Sequence, residues 1–191
     1  MTTFTIFGTG SMATAVAGVL TKGGATVEHI GSSDKDAAVN GDIVVLAVPY
    51  PVLEQIAADY GAKLTEKIVV DITNPLDFET FDSLVVPADS SAAAELSAAL
   101  PASTVLKAFN TNFAATLSSQ SVGSNPTTVM IAGDDDAAKQ ALASAVQAGG
   151  LDAVDVGSLK RARELESSGF LQLALAAGEK IQWSAGFALV R

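Results

Sequence analysis

Hydrophobic positions along the chain form short continuous runs that alternate with longer segments of mixed polarity. The run 42–48 is apolar at all but its first position, the run 67–72 is apolar at four of its six positions, and each is followed closely by proline. This pattern is typical of strands buried on both faces of a parallel sheet. We predict strands at 4–7, 25–30, 42–48, 67–72, 104–109, 127–132 and 152–156.

The segments between these runs place apolar residues at helical spacing. We predict helices at about 11–20, 52–60, 91–100, 112–117, 133–146 and 158–178. Residues 76–90 show no period and are rich in Asp, Ser and Pro, so we expect a loop over the carboxyl edge of the sheet. Strands that alternate with helices predict an α/β fold with a doubly wound, mostly parallel sheet.

The first predicted strand runs directly into a glycine turn and then a helix. The turn consists of Gly8, Thr9, Gly10, Ser11, Met12 and Ala13. The first glycine permits the tight turn, the second lets the backbone approach a pyrophosphate, and the small Ala13 allows close packing of helix and strand. The helix N-terminus adds N–H groups and a partial positive charge. We therefore predict a Rossmann-type dinucleotide site here, in preference to a purely structural turn.

The composition fits one well-filled domain. The chain has 191 residues, of which 49% are hydrophobic and only 6% aromatic, and this suits thin helices on a central sheet. We expect a single domain over 1–191, in which 158–191 forms a short C-terminal helical extension and tail. The tail carries Trp183 and Phe187, which is more apolar surface than an isolated end should expose. It either packs on the sheet or forms a homodimer interface near the partner's site.

The residue types that are missing or rare limit the kinds of catalytic and metal site that the chain can form. The absence of cysteine excludes disulfides, thiol catalysis and cysteine-ligated metals, and with a single histidine we expect no metal centre. His29 lies within a predicted strand, so we interpret it as structural rather than as a catalytic base. The aspartates at 134–136 are interpreted as partners of a helix dipole rather than as a cation site. No apolar run approaches the length of a bilayer span and residues 1–8 carry no basic leader, so we expect a cytoplasmic protein.

The net charge of −10 predicts a surface that repels nucleic acid and anionic membranes, so we expect neither as a partner. An anionic ligand would have to be held locally. The densest basic cluster is formed by Lys160, Arg161 and Arg163. We favour a solvated helix face whose cations pair with Glu164 and Glu166, and the alternative is a ligand-binding cluster.

The end of the second predicted strand bears on the choice between NAD and NADP. An acidic residue at this position accepts a hydrogen bond from the ribose 2′-hydroxyl of NAD. Here Gly31 is followed by Ser32, Ser33, Asp34 and Lys35. The two hydroxyls and the lysine favour a 2′-phosphate, whereas the charge of Asp34 would oppose one unless it points away or pairs with Lys35. The segment 32–34 also fits a helix N-cap, and both interpretations can hold together.

Five segments together resemble one known family. They are 8–13, 31–33, 46–51, 107–111 and 132–135. In order and spacing they are similar to those of the coenzyme F420-dependent NADP oxidoreductases, small Rossmann enzymes that exchange hydride between NADPH and a deazaflavin. The resemblance runs nearly from end to end. The same architecture also resembles the cytoplasmic reductase domains that pass electrons from NADPH to flavin.

The resemblance implies where the cofactor lies. The turn after the first strand would bind the pyrophosphate, and a Ser-Arg pair after the second strand would bind the 2′-phosphate. Ser32 matches the serine, but Ser33 stands where the arginine belongs, so NADP preference would depend on Ser32, Ser33 and Lys35. Other residues implied to bind the cofactor are Val48, Pro49, Tyr50, Asn74, Asn112 and Ala114. The hydride-transfer site would be lined by Asn110, Asn112 and Ala114.

The chain offers few residues suited to acid–base catalysis. Tyr60 and Lys63 do not have the spacing of a Tyr-x-x-x-Lys pair. Direct hydride transfer between two flat rings needs stacking more than a protein acid or base. We therefore expect an NADP(H)-dependent oxidoreductase that acts on a small-molecule electron acceptor, a flavin or a deazaflavin such as coenzyme F420. The alternative is an NADP(H)-binding sensor or interaction module without turnover.

Overall fold

The computed structural model describes residues 2–190 and shows a seven-stranded sheet between two layers of helices. The sheet contains β1 (Thr3–Phe7), β2 (Thr26–Ile30), β3 (Ile43–Leu46), β4 (Ile68–Asp71), β5 (Thr104–Lys107), β8 (Thr128–Gly133) and β9 (Asp152–Gly157). A separate small hairpin is formed by β6 (Ser121–Val122) and β7 (Asn125–Pro126). The helices are α1 (Ser11–Lys22), α2 (Val52–Leu64), α3 (Ala92–Ala99), α4 (Ala114–Ser119), α5 (Asp136–Ala148) and α6 (Ala162–Ala177).

The strand order is β2-β1-β3-β4-β5-β8-β9. The first five strands are mutually parallel, β8 is antiparallel to β5, and β9 is parallel to β8. The predicted α/β fold with a doubly wound, mostly parallel sheet is thus confirmed. The one antiparallel pairing within this seven-stranded sheet arises because the chain begins β8 at the edge of the sheet where β5 has ended, so that no crossover is needed.

Alternating side chains of the central strands build a hydrophobic core on each face of the sheet. Val45 of β3 belongs to the cluster that contains residues of α1 and α5, whereas Val44 and Leu46 belong to the cluster that contains residues of α2 and α3. All three side chains are fully buried. This explains why β3 is apolar at every position.

The connectivity opens a crevice between β1 and β3. From β1 the chain passes through α1 to β2 on one side, and it then returns to β3 on the other side of β1. Such a reversal of strand order leaves a gap outside the carboxyl ends of the two strands, where α/β proteins bind ligands. The glycine turn after β1 and the segment after β3 both lie at this gap.

Two sequence predictions about local structure are corrected. The predicted helix over 158–178 begins as a single 3-10 turn, Leu159–Arg161, before α6 starts. The connection 31–42 contains turns and no helix, so an N-cap at 32–34 is wrong. It must cross from β2 to β3 in a dozen residues, and Asp34 accepts a hydrogen bond from the preceding Gly31 N–H instead of capping a following helix.

Two further local predictions, the helix that starts at the aspartates 134–136 and the loop at 76–90, are confirmed. Asp135 caps α5, since its carboxylate accepts a hydrogen bond from Ala138 N–H at 2.8 Å, and Asp134 accepts one from Leu159 N–H at 3.0 Å. Residues 76–90 form a loop that contains one isolated bridge, between Leu76 and Leu84. Among residues 2–190, no helix is long and apolar enough to cross a membrane.

Candidate functional site

The glycine turn after β1 contains two glycines that have different structural roles. Gly8 has φ +112°, and a Cβ added there would lie 2.2 Å from the carbonyl oxygen of Ala47, the residue after β3. Only glycine fits that position. Gly10 has an ordinary φ of −77°, and a Cβ added there would meet no atom within 4 Å. The fold therefore requires Gly8, whereas the space beside Gly10 is left open.

The open space lies at the N-terminus of α1. Gly10 is the N-cap residue and has no side chain to cap the helix, and the first turn that follows it carries no acidic residue. The first N–H groups of a helix lack intrahelical partners and carry partial positive charge. This end of α1 is consequently suited to an anion such as a pyrophosphate.

Two connected cavities meet at the glycine turn. The first, here called the deep cleft, has a volume of about 640 Å³ and is lined by Thr73, Asn74, Asn110, Asn112, Phe113 and Trp183 among others. The second, here called the outer basin, has a volume of about 880 Å³ and is lined by Gly31, Ser32, Asp34, Lys35, Asp59 and Tyr60 among others. Gly10, Ala47, Val48 and Pro49 line both. Together the cavities form a groove across the carboxyl edge of the sheet.

The residues predicted from the sequence lie along this groove. Those in the deep cleft are Ser11, Met12, Ala13, Tyr50, Asn74, Asn110, Asn112 and Ala114. Those in the outer basin are Gly8, Thr9, Ser32 and Lys35. Ser33 is exposed in the turn beside the basin. The fold thus brings these residues together, and the contacts of each with a cofactor remain predictions.

A strained turn after β5 supports the floor of the deep cleft. Phe109 is fully buried and has φ +60°, a left-handed conformation that is uncommon for a bulky residue. The next residue, Asn110, donates from Nδ2 to Asn74 Oδ1 and to Leu165 O, each at 2.9 Å. In return Asn74 Nδ2 donates to the carbonyl oxygen of Asn110 at 2.8 Å. Strain of this kind persists where the surroundings over-determine it, often at a functional site.

Three buried polar atoms of the deep cleft lack partners. In the part of the chain that the structure describes, the buried side-chain atoms without a hydrogen bond are Thr73 Oγ1, Asn110 Oδ1 and Asn112 Oδ1. All three residues line the deep cleft. Buried polar atoms are nearly always paired, and an unpaired one points to an absent partner. The walls of the cleft therefore hold one hydroxyl and two amide oxygens that have no partner within the described chain.

The opposite wall of the deep cleft is aromatic, and sequence reasoning assigned none of it to the site. The ring of Trp183 packs against that of Phe113 with centroids 5.2 Å apart, and Phe78 and Leu173 line the same cleft. Trp183 remains 53% exposed and Phe78 57% exposed. Their sequence signals were an apolar tail and a loop, which did not indicate that both fold over the same cavity.

A buried ion cluster lies directly behind the deep cleft. Lys107, at the end of β5, approaches Asp71 Oδ2 and Glu166 Oε1 at 2.8 Å each, and it donates to Thr73 O at 2.6 Å. Glu166 also accepts hydrogen bonds from the N–H groups of Ala92 and Ala93 at the start of α3. The side chains of the three ionisable residues are at most 1% exposed. This cluster joins β4, β5, α3 and α6 at one point.

The cluster perturbs nearby protonation equilibria. Burial raises the pKa of Glu166 above its usual value, an effect that the charge and hydrogen bond of Lys107 oppose only in part. The pKa of Tyr50, which lines the deep cleft, is raised to about 12 by burial, by its hydrogen bond to Glu95 and by nearby carboxylates. Tyr50 consequently keeps its proton, which it donates to Glu95 Oε2 at 2.6 Å.

The basic cluster near the C-terminus is only partly as predicted. Arg161 pairs with Glu164 at 3.0 Å on the surface, as expected for a solvated face. Glu166, however, faces inward to Lys107, so the predicted pairing of Glu166 with the surface cations is wrong. Arg163 donates instead to the carbonyl oxygens of Pro87 and Ser90. The reason is that α6 turns Glu166 toward the sheet, where only a charge partner makes burial tolerable.

The outer basin, unlike the deep cleft, is lined in part by charged residues. Tyr60 of α2 donates its hydroxyl hydrogen to the carbonyl oxygen of Asp34 at 2.9 Å, and Lys63 donates to the carbonyl oxygens of Asp36 and Ala37. A hydrogen bond from Lys63 lowers the pKa of the Asp36 carboxyl. His29 is exposed, not packed as expected of a strand residue, and its Nδ1 lies 2.9 Å from the carbonyl oxygen of Gly8. That contact supports the glycine turn.

Comparisons with known proteins show the family to which this chain belongs. The family model for the coenzyme F420-dependent NADP oxidoreductases matches residues 23–75. The F420-dependent NADP reductase of Methanocaldococcus jannaschii is 32% identical over 155 residues, which cover 78% of this chain and 68% of that protein. The chain belongs to the coenzyme F420-dependent NADP oxidoreductase family. It is accordingly grouped with the NADP-dependent oxidoreductases.

Two further proteins are similar to this chain, one in sequence over part of its length and one in fold. The metalloreductase STEAP3 of Rattus norvegicus is 36% identical over 105 residues, which cover 55% of this chain and 20% of that protein. A crystal structure of a putative F420-dependent NADP reductase from an Arthrobacter species superposes with a TM-score of 0.86 over the full length of both chains. At 22% identity, that structural likeness shows the fold alone.

Proposed function

We propose that this family member transfers hydride between NADPH and a flat flavin or deazaflavin acceptor, with the dinucleotide along the groove. The observation that carries the proposal is the set of unpartnered atoms Thr73 Oγ1, Asn110 Oδ1 and Asn112 Oδ1 in the deep cleft. The amide oxygens can accept hydrogen bonds from a carboxamide, and the hydroxyl can donate one. The carboxamide of a nicotinamide ring is such a group.

The rest of the groove fits the other parts of a dinucleotide. The open N-terminus of α1 beside Gly10 is suited to the pyrophosphate. The outer basin, at the end of β2, is suited to the adenosine ribose. Gly10, Val48 and Pro49 line both cavities and would thus lie along the middle of the molecule.

When bound, NADPH supplies the hydride. The chain's own part is to hold and to shield the reacting rings. Within residues 2–190, no charged side chain lines the deep cleft, and its walls include Met12, Ile72 and Phe113. Such a lining supplies no charged acid or base, so hydride transfer would depend on the alignment of the two rings. The rigid Asn74–Asn110 pair keeps the floor of the cleft in one arrangement.

The aromatic wall supports a planar acceptor. Trp183 and Phe78 are both about half exposed at the mouth of the cleft, where a second flat ring can stack on them. The relative from Methanocaldococcus jannaschii is named for coenzyme F420, and this supports a deazaflavin as the acceptor. A flavin has the same flat tricyclic shape, so the test must include both.

The test is NADPH oxidation, followed by absorbance, with coenzyme F420, riboflavin, FMN and FAD offered in turn. We expect enzyme-dependent oxidation with at least one of them and, with coenzyme F420, transfer of deuterium from 4-deuterated NADPH to a carbon atom of the deazaflavin, where it does not exchange with water. Tight NADPH binding without oxidation by any of the four would contradict the proposal. That outcome would favour the alternative, a sensor or interaction module without turnover.

Replacement of Trp183 tests the acceptor wall. In the Trp183→Ala variant we expect the KM of the acceptor to rise roughly tenfold, because a stacking surface is lost. The Kd of NADPH should change little. Phe187→Ala is the matched control, since Phe187 lies in the same tail and is similarly exposed at 47%. Equal effects of the two substitutions on the acceptor would count against a specific ring-stacking role.

A further inference from the structure

The carboxylate of Asp34 occupies a distinctive place in the outer basin. Its Oδ2 accepts a hydrogen bond from the N–H of Gly31 at 2.7 Å, and Gly31 is the residue directly after β2. Asp34 also lines the basin, together with Ser32 and Lys35. A negative charge is therefore held at the tip of β2, where dinucleotide folds contact the adenosine ribose.

The position of Asp34 is set by α2. The Tyr60 hydroxyl donates to the backbone carbonyl of Asp34, and Lys63 donates to the carbonyl oxygens of Asp36 and Ala37. The Lys63 ammonium also pairs with the Asp36 carboxylate. These bonds anchor the turn to a helix, so the turn cannot readily carry Asp34 away from the basin.

The charges around the basin do not favour a doubly charged phosphate. Asp34, Lys35, Asp36 and Asp59 line it, and Asp36 is paired with Lys63. Lys35 is therefore opposed by two carboxylates, those of Asp34 and Asp59. A like charge placed beside a phosphate weakens its binding, whereas a carboxylate accepts a hydrogen bond from a ribose hydroxyl.

We propose that Asp34 sets the nucleotide selectivity of this groove and allows it to bind NAD(H) as well as NADP(H). Its carboxylate accepts a hydrogen bond from the 2′-hydroxyl of NAD(H) and repels the 2′-phosphate of NADP(H). Ser32 and Lys35 supply the donors for that phosphate, so both nucleotides bind with a narrow difference in affinity. This inference rests on the proposed function, because it requires the adenosine end of the dinucleotide to lie in the outer basin.

The test compares the dissociation constants of NADPH and NADH at one ionic strength. Trp183 is the single tryptophan and lines the deep cleft, so its fluorescence reports binding. In Asp34→Asn we expect NADPH to bind roughly tenfold more tightly relative to NADH, because a charge that opposes the 2′-phosphate is removed. The asparagine Oδ1 can still accept from Gly31 N–H, which keeps the turn. Asp34→Ser is a second variant if the first does not fold.

The matched control is Asp59→Asn, which removes the same charge from the same basin. Asp59 lies on α2 and not in the turn at the tip of β2, so we expect a shift in the affinity ratio below roughly threefold. An unchanged ratio in the Asp34 variants, or an equal shift in Asp59→Asn, would overturn the inference. So would a wild-type protein that binds NADPH and shows no binding of NADH.

These outcomes separate the inference from the proposed function. The affinity ratio is measured without any electron acceptor. If NADPH binds and no acceptor is reduced, the proposed function fails, and the ratio alone still decides the role of Asp34. If neither nucleotide binds, both proposals fail. Circular dichroism and thermal unfolding of each variant show whether it is folded.

Discussion

The deep cleft and the outer basin are two ends of one groove, but they are built in different ways. The deep cleft is lined by uncharged side chains from distant parts of the sequence, and its polar floor is held by reciprocal hydrogen bonds between Asn74 and Asn110. The outer basin is lined by the turn after β2, the glycine turn, the segment after β3 and one face of α2, and it contains four charged residues: Asp34, Lys35, Asp36 and Asp59.

This difference between the two cavities suits two separate tasks, hydride transfer in the deep cleft and nucleotide selection in the outer basin. Transfer of hydride between rings requires an alignment that long-range contacts can hold and a lining that excludes water. Choice between nucleotides requires a few charges at one position, and a surface turn can change these without affecting the core. The comparison predicts that substitutions in the ion cluster behind the deep cleft reduce stability, whereas substitutions of groove residues that the fold itself does not require mainly change binding.

The largest effect is expected from Lys107→Met, which removes the cation behind the deep cleft. Asp71 and Glu166 would then be buried without a counter-charge, and we expect the free energy of unfolding to fall by about 3–5 kcal/mol. Urea denaturation measures this loss. The control is Glu166→Gln, which leaves the Lys107–Asp71 pair intact and should cost only about 1–2 kcal/mol. Equal losses in both variants would show that the cluster is not organised around Lys107.

The next effect separates the two glycines where the cavities meet. Gly8→Ala should destabilise the fold by about 2 kcal/mol or more, because its Cβ would collide with the Ala47 carbonyl at positive φ. Gly10→Ala should cost less, about 0.5–1 kcal/mol, since alanine is a poorer N-cap residue than glycine but its methyl group would meet no atom within 4 Å. Its NADPH affinity should nevertheless fall at least about tenfold, because the methyl group occupies the space for the pyrophosphate.

Thermal unfolding and NADPH titration of the two glycine variants together provide the measurement. A Gly10→Ala protein that is stable and binds NADPH as tightly as the wild type would contradict the placement of the pyrophosphate. A stable Gly8→Ala protein would contradict the structural explanation of the turn itself.

The smallest effect is a pH dependence that arises from Glu166. Its pKa is raised in the folded protein, so the folded state binds the proton more tightly than the unfolded chain does. The stabilising contribution of Glu166 is therefore present below its ordinary pKa and is lost as the pH rises through the raised value. Compared with Glu166→Gln, the wild type should lose relative stability as the pH rises above about 4.5. Urea denaturation of both proteins at a series of pH values tests this. A gain in the stability of the wild type relative to Glu166→Gln with rising pH would contradict the prediction.

Much of the fold could be predicted from local patterns. The apolar run over β3 and the strand–turn–helix at Gly8 and Gly10 both reflect short-range requirements, namely burial on two faces and a turn with positive φ. The connection after β2 was harder to predict, because Ser32 and Asp34 suit both a helix N-cap and a turn. The bonds from Tyr60 and Lys63 of α2 decide in favour of the turn.

Some residues of the candidate site could be predicted from the sequence and others could not, because local patterns do not show contacts between distant segments. The motif residues from Gly10 to Ala13 and the asparagines at 110 and 112 lie along the groove as their segments suggested. The aromatic wall was missed, since nothing in the local sequence of Trp183 or Phe78 shows which cavity these side chains reach. The dimer interface expected of the tail remains a prediction, and size measurement at micromolar concentration would test it.

By itself the sequence determined the class of fold, the position of the phosphate turn and the family. These depend on spacing within a few residues, which a single strand or helix end sets. Only the tertiary structure decided that Glu166 pairs with Lys107, that Asp34 is held at the tip of β2, and that Asn74 and Asn110 form one floor. Each of these depends on which elements the sheet order brings together, and contacts between distant segments leave no local pattern.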